Sequence, residues 1–209
     1  MAYTTINKST DYFNTKLYTG NGSNNHTITG VGFDTDLAWI KNRGGDDHRL
    51  FDKVRGVNKF VKSNTTDAET TDAIFTTNSD GYVVTNAGEV NANNQNFVGW
   101  NWKANGAGSA NTDGSISSTV SVNTTAGFSI VSFNQASSPQ TIGHGLNSVP
   151  KIIFIKDRDS VANWQVYSES IGASNKLLLD STNASASSGV FNSTAPTSSV
   201  FTFNSNFGS

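Results

Sequence analysis

Apolar residues in this chain occur in short runs separated by polar, glycine-rich turns. The clearest run lies in residues 32–43, where Leu37, Ala38, Trp39 and Ile40 are followed by Lys-Asn-Arg. It returns with two extra residues in 145–158, as Ile-Ile-Phe-Ile followed by Lys-Asp-Arg. Four apolar residues are too few for a buried helix, so each run predicts a central β-strand covered on both faces.

Other segments recur in the same order, about 115 residues apart, as expected of a tandem duplication. The matching pairs are residues 17–18 with 128–133, 50–53 with 165–168, 58–65 with 175–182, and 81–86 with 199–204. The sequence therefore predicts two tandem antiparallel β-sandwich domains of jelly-roll type. Their predicted boundaries are a lead-in segment 1–14, a first repeat 15–104, a linker 105–115 and a second repeat 116–209.

The strand that closes the first repeat has no counterpart in the second. Residues 97–102 alternate between apolar and other positions, as a strand should, whereas the second repeat ends before the matching position. An open sheet edge promotes aggregation, so natural proteins cover it. The missing strand could lie further along a longer chain, come from residues 1–14, or be donated by a neighbouring subunit. The first explanation is favoured.

The composition also favours an all-β protein. Hydrophobic residues make up 35% of the chain and aromatic residues 11%. Serine, threonine and asparagine together reach roughly 37%, far above ordinary usage. These residues compete with helical backbone for hydrogen bonds, and the 19 glycines add turns.

Charge and cysteine content argue against several classes of function. Charged residues are only 14% of the chain and the net charge is −2, so no basic patch for nucleic acid is evident. The absence of cysteine excludes disulfides and thiol nucleophiles. No apolar run is long enough to span a membrane. These features suit a virion protein that is assembled in the cytoplasm and released by lysis.

One cluster of acidic residues and histidine stands out, namely Asp46, Asp47 and His48. Such side chains could hold a divalent cation or supply a general base. Because the cluster follows two glycines, a solvated hairpin tip is the favoured interpretation. With no Gly-x-Ser-x-Gly motif and no glycine-rich phosphate loop, we expect a protein without catalytic residues, cofactor or resident metal.

The tryptophans are the better candidates for ligand binding. Trp100 and Trp102 share one face of their predicted strand, where they could stack on sugars or be buried between two sheets. Burial of this pair is favoured, and Trp39 is expected in the core. Trp164 lies just before a strand and is the better candidate for an exposed ring.

Nine segments together resemble a known family. They are residues 17–23, 32–43, 50–56, 63–69 and 97–103 in the first half, and residues 111–115, 143–146, 164–167 and 195–201 in the second. The combination looks like a repeated domain of structural proteins in marine tailed bacteriophages, and it covers nearly the whole chain.

The resemblance implies a virion protein without enzymatic activity, such as a tail-fibre or adhesin component that helps the phage attach to its host. Its implied partners are other tail or capsid proteins, further copies of itself in a homo-oligomer such as a trimer, and host surface polysaccharide. Two alternatives remain open, namely a capsid decoration or head-fibre protein and a carbohydrate-binding module.

Overall fold

The computed structural model describes residues 6–135 and 139–204, and this part of the chain is all-β, as the composition predicted. It divides into two compact units. The first unit contains the residues up to 62 and residues 69–107, and the second contains residues 63–68 and those from 108 onwards. The segment predicted as a linker, 105–115, includes the strand Ser109–Asn111, which pairs with the strand that follows it.

The first unit contains a single 3₁₀ turn at Ser9–Asp11. Its remaining elements are β1 (Phe13–Thr19), β2 (His26–Ile28), β3 (Leu37–Asn42), β4 (Arg49–Asp52), β5 (Lys59–Val61), β6 (Thr70–Thr71), β7 (Phe75–Asn78), β8 (Gly81–Val84), α1 (Gly88–Asn91) and β9 (Asn96–Trp102). They build a six-stranded antiparallel sheet in the order β1-β9-β3-β4-β5-β6 and a three-stranded sheet in the order β2-β8-β7. Residues 13 and 14 of the predicted lead-in thus belong to the first strand.

The core of the first unit contains side chains from both sheets. Phe51 of the larger sheet stacks on Phe75 of the smaller one, with ring centroids 4.4 Å apart. Tyr18 and Phe97 stack at 5.0 Å. Burial along β3 alternates, because Ala38, Ile40 and Asn42 are buried while the other three residues of the strand are only half-buried. The prediction that this strand is covered on both faces is therefore wrong; one face packs on the core.

The second unit also consists of antiparallel sheets. Its elements are β10 (Ser109–Asn111), β11 (Ser118–Asn123), β12 (Phe128–Phe133), β13 (Gln140–Gly143), β14 (Ile152–Ile155), β15 (Gln165–Ser168), β16 (Asn175–Leu178), β17 (Ala186–Ser187) and β18 (Val200–Phe203). They pair as β10-β11-β12, β13-β18 and β14-β15-β16-β17. The last of these strands, β18, is paired with β13 and not with residues 6–14. The core of the second unit contains aromatic contacts such as that of Tyr167 with Phe191, whose ring centroids are 5.5 Å apart.

Six residues of the second unit come from an earlier part of the chain. In this segment, residues 63–68, the carbonyl of Thr66 accepts hydrogen bonds from the Lys156 ammonium at 3.0 Å and from the Ala162 backbone N–H at 2.9 Å. The Lys156 ammonium also donates to the Ala162 carbonyl at 2.8 Å. Desolvation lowers the pKa of Lys156, although nearby carboxylates oppose the shift.

The helical segments of the described chain are single turns, and none is long and apolar enough to cross a membrane.

Gly99 permits β9 to lie directly over Tyr82. A Cβ atom at position 99 would overlap the buried Tyr82 hydroxyl. We expect Gly99→Ala to lower the free energy of unfolding by about 1–3 kcal/mol, the usual cost of overpacking a core. Urea denaturation measures this, and adding Tyr82→Phe should recover much of the loss because it removes the overlapping oxygen.

Gly45→Ala is the matched control, since no atom lies within 4 Å of the added carbon. It should change stability by less than about 0.5 kcal/mol. Equal effects of the two alanines would contradict the packing explanation.

Candidate functional site

The outer side of the six-stranded sheet carries a row of aromatic side chains. In β9 the inward positions are buried and the outward positions are half-exposed, so Trp100 and Trp102 lie on the outer side. The strand register places Phe13 and Leu37 beside Trp102, and Trp39 beside Trp100. We call Phe13, Trp39, Trp100 and Trp102 the aromatic face.

The rings of the aromatic face contact one another in pairs. The centroids of Phe13 and Trp102 are 4.8 Å apart with the rings tilted by 53°. Those of Trp39 and Trp100 are 5.8 Å apart in an edge-to-face arrangement. Such geometries stabilise aromatic pairs beyond the area they bury. Phe13 is 37% exposed and Leu17, on the same side of β1, is 63% exposed, so this end of the sheet presents apolar surface to solvent.

The favoured prediction that Trp100 and Trp102 are buried between sheets is wrong. The residue between them, Asn101, points inward instead and is fully buried. Its side-chain amide donates to the carbonyls of Gly99 at 3.0 Å and Asn14 at 3.2 Å. Burying a polar group is costly unless it is hydrogen-bonded, and these bonds meet that condition. Because successive side chains of a strand point to opposite faces, the inward position of Asn101 places the indoles of Trp100 and Trp102 on the outer face.

Trp39 is also on the outer side, half-buried, and not in the core as predicted. Its indole N–H donates to Nδ1 of His48 at 2.8 Å. Because that nitrogen accepts, His48 is neutral in this arrangement. Burial lowers the pKa of His48, and the neighbouring Lys41 lowers it further, while Asp47 opposes both.

The three side chains of the predicted acidic cluster have separate partners. Asp46 is exposed at positive φ, and its carboxylate accepts from the Asn42 amide at 2.6 Å. The Asp47 carboxylate lies 3.3 Å from the Lys62 ammonium. His48 faces Trp39. No group of three potential metal ligands is found among residues 6–135 and 139–204.

Trp164 is not an exposed ring, since it is only 6% exposed. The loop that carries Trp164 is bonded to other parts of the second unit, because the Ala162 N–H donates to the Thr66 carbonyl and the Ala162 carbonyl accepts from the Lys156 ammonium. The adjacent Gln165 is fully buried as well. The predicted ligand-binding tryptophans therefore lie in different units. Trp100 and Trp102 share one surface of the first unit, and Trp164 is buried in the second.

Residues 8–208 match a domain of unknown function, DUF7483. The chain belongs to this family. Comparisons with curated proteins and with solved structures gave no match.

Sequence reasoning missed two members of the DUF7483 chain's aromatic face, Phe13 and Trp39. The alternation of Phe13 and Leu17 with Asn14 and Lys16 indicated that the two apolar residues share one face of a strand, but not that this face is the outer one. Nothing local in the sequence, however, indicated that β9 would lie between β1 and β3 and so bring the four rings together.

The hydrogen bond from Trp39 to His48 makes a pH-dependent contribution to stability. The pKa of His48 is lower in the folded than in the unfolded chain, so the unfolded chain takes up the proton first. The free energy of unfolding should therefore fall as the pH drops below about 6.5, the ordinary histidine pKa. Urea denaturation at a series of pH values measures this.

His48→Gln keeps an acceptor for the indole but does not titrate. Its unfolding free energy should fall less steeply between about pH 6.5 and pH 5 than that of the native chain. The NMR signal of the Trp39 indole proton should move with the protonation of His48. An identical slope in both proteins would contradict this assignment.

Proposed function

We propose that this DUF7483 chain is a non-enzymatic structural protein of a phage virion, a tail-fibre or adhesin component that binds host surface polysaccharide on its aromatic face. The resemblance of its sequence to phage structural proteins supports the virion assignment. The half-exposed rings of the aromatic face carry the binding assignment. In the virion, its other partners would be tail proteins and further copies of itself.

The aromatic face has the chemistry that sugar rings require. Apolar surface that remains accessible to solvent is provided by Trp39, Trp100 and Trp102. Tryptophan suits such half-exposed positions because it combines a large apolar ring with a polar N–H. Hydroxyl-bearing residues lie on the same side of β1, since Thr15 is opposite Trp100 in the register. A few polar groups beside an apolar surface are typical of ligand sites, where they fix the orientation of the ligand.

We also propose that the chain is a duplication of one jelly-roll-like sandwich. The strand pairing supports this, because β14 pairs antiparallel with β15 as β3 pairs with β4. Leu37 is opposite Asp52 and Ile152 is opposite Ser168, which is one residue beyond the position that the match of 50–53 with 165–168 gives. A repeated domain in a homo-oligomer would present several sites at once. Such multivalency raises avidity by 10²–10⁴ without any new contact.

A second candidate function is capsid decoration. It is favoured by Ile152, Phe154 and Val161, which are at least half exposed in the second unit. Exposed apolar patches on a folded protein are typical of protein–protein interaction sites. In this case the second unit, and not the aromatic face, would hold the protein on the particle.

The binding proposal is tested with the purified chain on an array of bacterial surface polysaccharides. Removing both outward rings, Trp100→Ala with Trp102→Ala, should weaken retention on the bound glycan by at least tenfold, or about 1.4 kcal/mol. Phe154→Ala is the matched control, because it removes from the second unit an aromatic ring that is more exposed than Trp100 or Trp102. Its retention should be unchanged.

Circular dichroism and urea denaturation should first show that both variants fold. Failure of the native chain to bind any glycan on the array, or equal binding by the double variant, would count against the adhesin proposal. Electron microscopy of an intact particle distinguishes the two virion positions, since a tail component lies on the fibre and a decoration protein on the capsid.

A further inference from the structure

The aromatic face continues along β1 and β9 as a longer row of side chains on the outer side of the sheet. The two strands are paired along their whole length, and each has seven residues, so the row is about 20 Å long. Four cross-strand pairs point outward, and we call their residues the outer row. The pairs are Phe13 with Trp102, Thr15 with Trp100, Leu17 with Val98, and Thr19 with Asn96.

Every side chain of the outer row is uncharged. Five are aromatic or aliphatic, and the other three, Thr15, Thr19 and Asn96, carry hydroxyl or amide groups. The Thr19 hydroxyl donates to the Asn96 amide oxygen at 3.1 Å on the exposed surface. The row thus offers apolar surface for stacking and uncharged hydrogen-bonding groups, which are the contacts that a sugar without ionic groups can make.

The lysine of β3 lies on the same side of the sheet, but its ammonium is bonded to a loop. Lys41 is opposite Val98 in the register. Its ammonium donates to the backbone carbonyls of Asn42 and Gly45 and, at 2.9 Å, to that of Asp46. An ammonium has three N–H donors, so these bonds use all of them. Lys41 therefore holds the loop after β3 and has no donor left for a carboxylate of a ligand.

The charges at the Trp102 end of the outer row are paired with one another. The Lys53 ammonium lies 2.7 Å from the Asp34 carboxylate and 3.1 Å from that of Asp36. Asp36 is bonded to the row, because its backbone N–H donates to the Trp102 carbonyl at 3.0 Å. The second oxygen of its carboxylate accepts from the Ala104 backbone N–H at 2.6 Å. The cation and both carboxylates are thus committed within the protein.

A further charged group on this side of the sheet, Asp52, is buried in an ion pair. It is opposite Leu37 in the register, and its carboxylate bonds the Arg55 guanidinium. The guanidinium also lies 3.0 Å from the Glu69 carboxylate. The three charged side chains are each no more than 10% exposed, so they neutralise one another away from solvent.

We propose that the aromatic face, together with the rest of the outer row, selects glycans whose repeating units carry no carboxylate or phosphate group. This selectivity presupposes that the face binds glycan, as proposed above. An ionised group laid against the row would lose water without gaining a cation, and burying an unpaired charge is costly. A neutral sugar loses only the hydration of its hydroxyls, which Thr15, Thr19 and Asn96 can replace.

The test uses the full chain on an array where each acidic bacterial surface polysaccharide stands beside its carboxyl-reduced form. Reduction turns the carboxylate into an alcohol and keeps the sugar backbone, so the two forms differ in charge. At about pH 7.5, where His48 is neutral, the reduced form should bind at least about tenfold more tightly. Raising the salt concentration from about 0.05 M to about 0.5 M should change its affinity by less than about twofold, because no ion pair is screened.

Adding one charge to the row provides the matched comparison. Thr15 is exposed at the middle of β1, so Thr15→Lys places an ammonium opposite Trp100 without disturbing the core. This variant should bind the acidic form about threefold more tightly than the native chain does, a typical effect of one exposed ion pair. Thr76→Lys adds the same charge at an exposed position of β7, in the smaller sheet, and should bind as the native chain does.

The outcomes distinguish this selectivity from the proposed function. Binding of the acidic form as tightly as the reduced form, or an affinity that falls steeply with salt, would overturn the selectivity and leave glycan binding intact. An equal gain from Thr15→Lys and Thr76→Lys would place the bound glycan away from the outer row and would also overturn it. Binding of no polysaccharide in either form would defeat the proposed function, and the selectivity with it.

Discussion

The double pairing of β9 is the constraint on which the first unit depends. Because β9 is hydrogen-bonded to β1 on one edge and to β3 on the other, both neighbours fix its register. A shift of one residue would move its inward side chains to the outer face. The same register therefore places Phe97 and Asn101 in the core and Trp100 and Trp102 outside. Core packing and the aromatic face are two consequences of one set of backbone hydrogen bonds.

In the second unit, β12 and β14 each lie at the end of a sheet among the described strands. Val131, Phe133 and Ile153 pack against the core of this unit, while Ile152 and Phe154 are exposed. The exposed apolar side chains of β14 thus lie on the end strand of a sheet, whereas the aromatic face of the first unit spans the paired strands β1, β9 and β3.

Sequence patterns predicted the all-β class and which residues of β9 share a face. They could not predict which face is covered, because alternation defines two sides and the neighbouring strands decide between them. Trp39 was assigned to the core for the same reason. The surroundings of Trp164 were equally out of reach, since its loop is hydrogen-bonded to Thr66 and a contact across 90 residues leaves no local signal.

That contact has a consequence for synthesis. The carbonyl of Thr66 finds its partners only when Lys156, 90 residues later, has been made. At ordinary rates of translation this takes on the order of ten seconds, during which the first unit can fold while the Thr66 carbonyl remains bonded to water. The second unit therefore includes a segment, residues 63–68, that is synthesised before any of its strands.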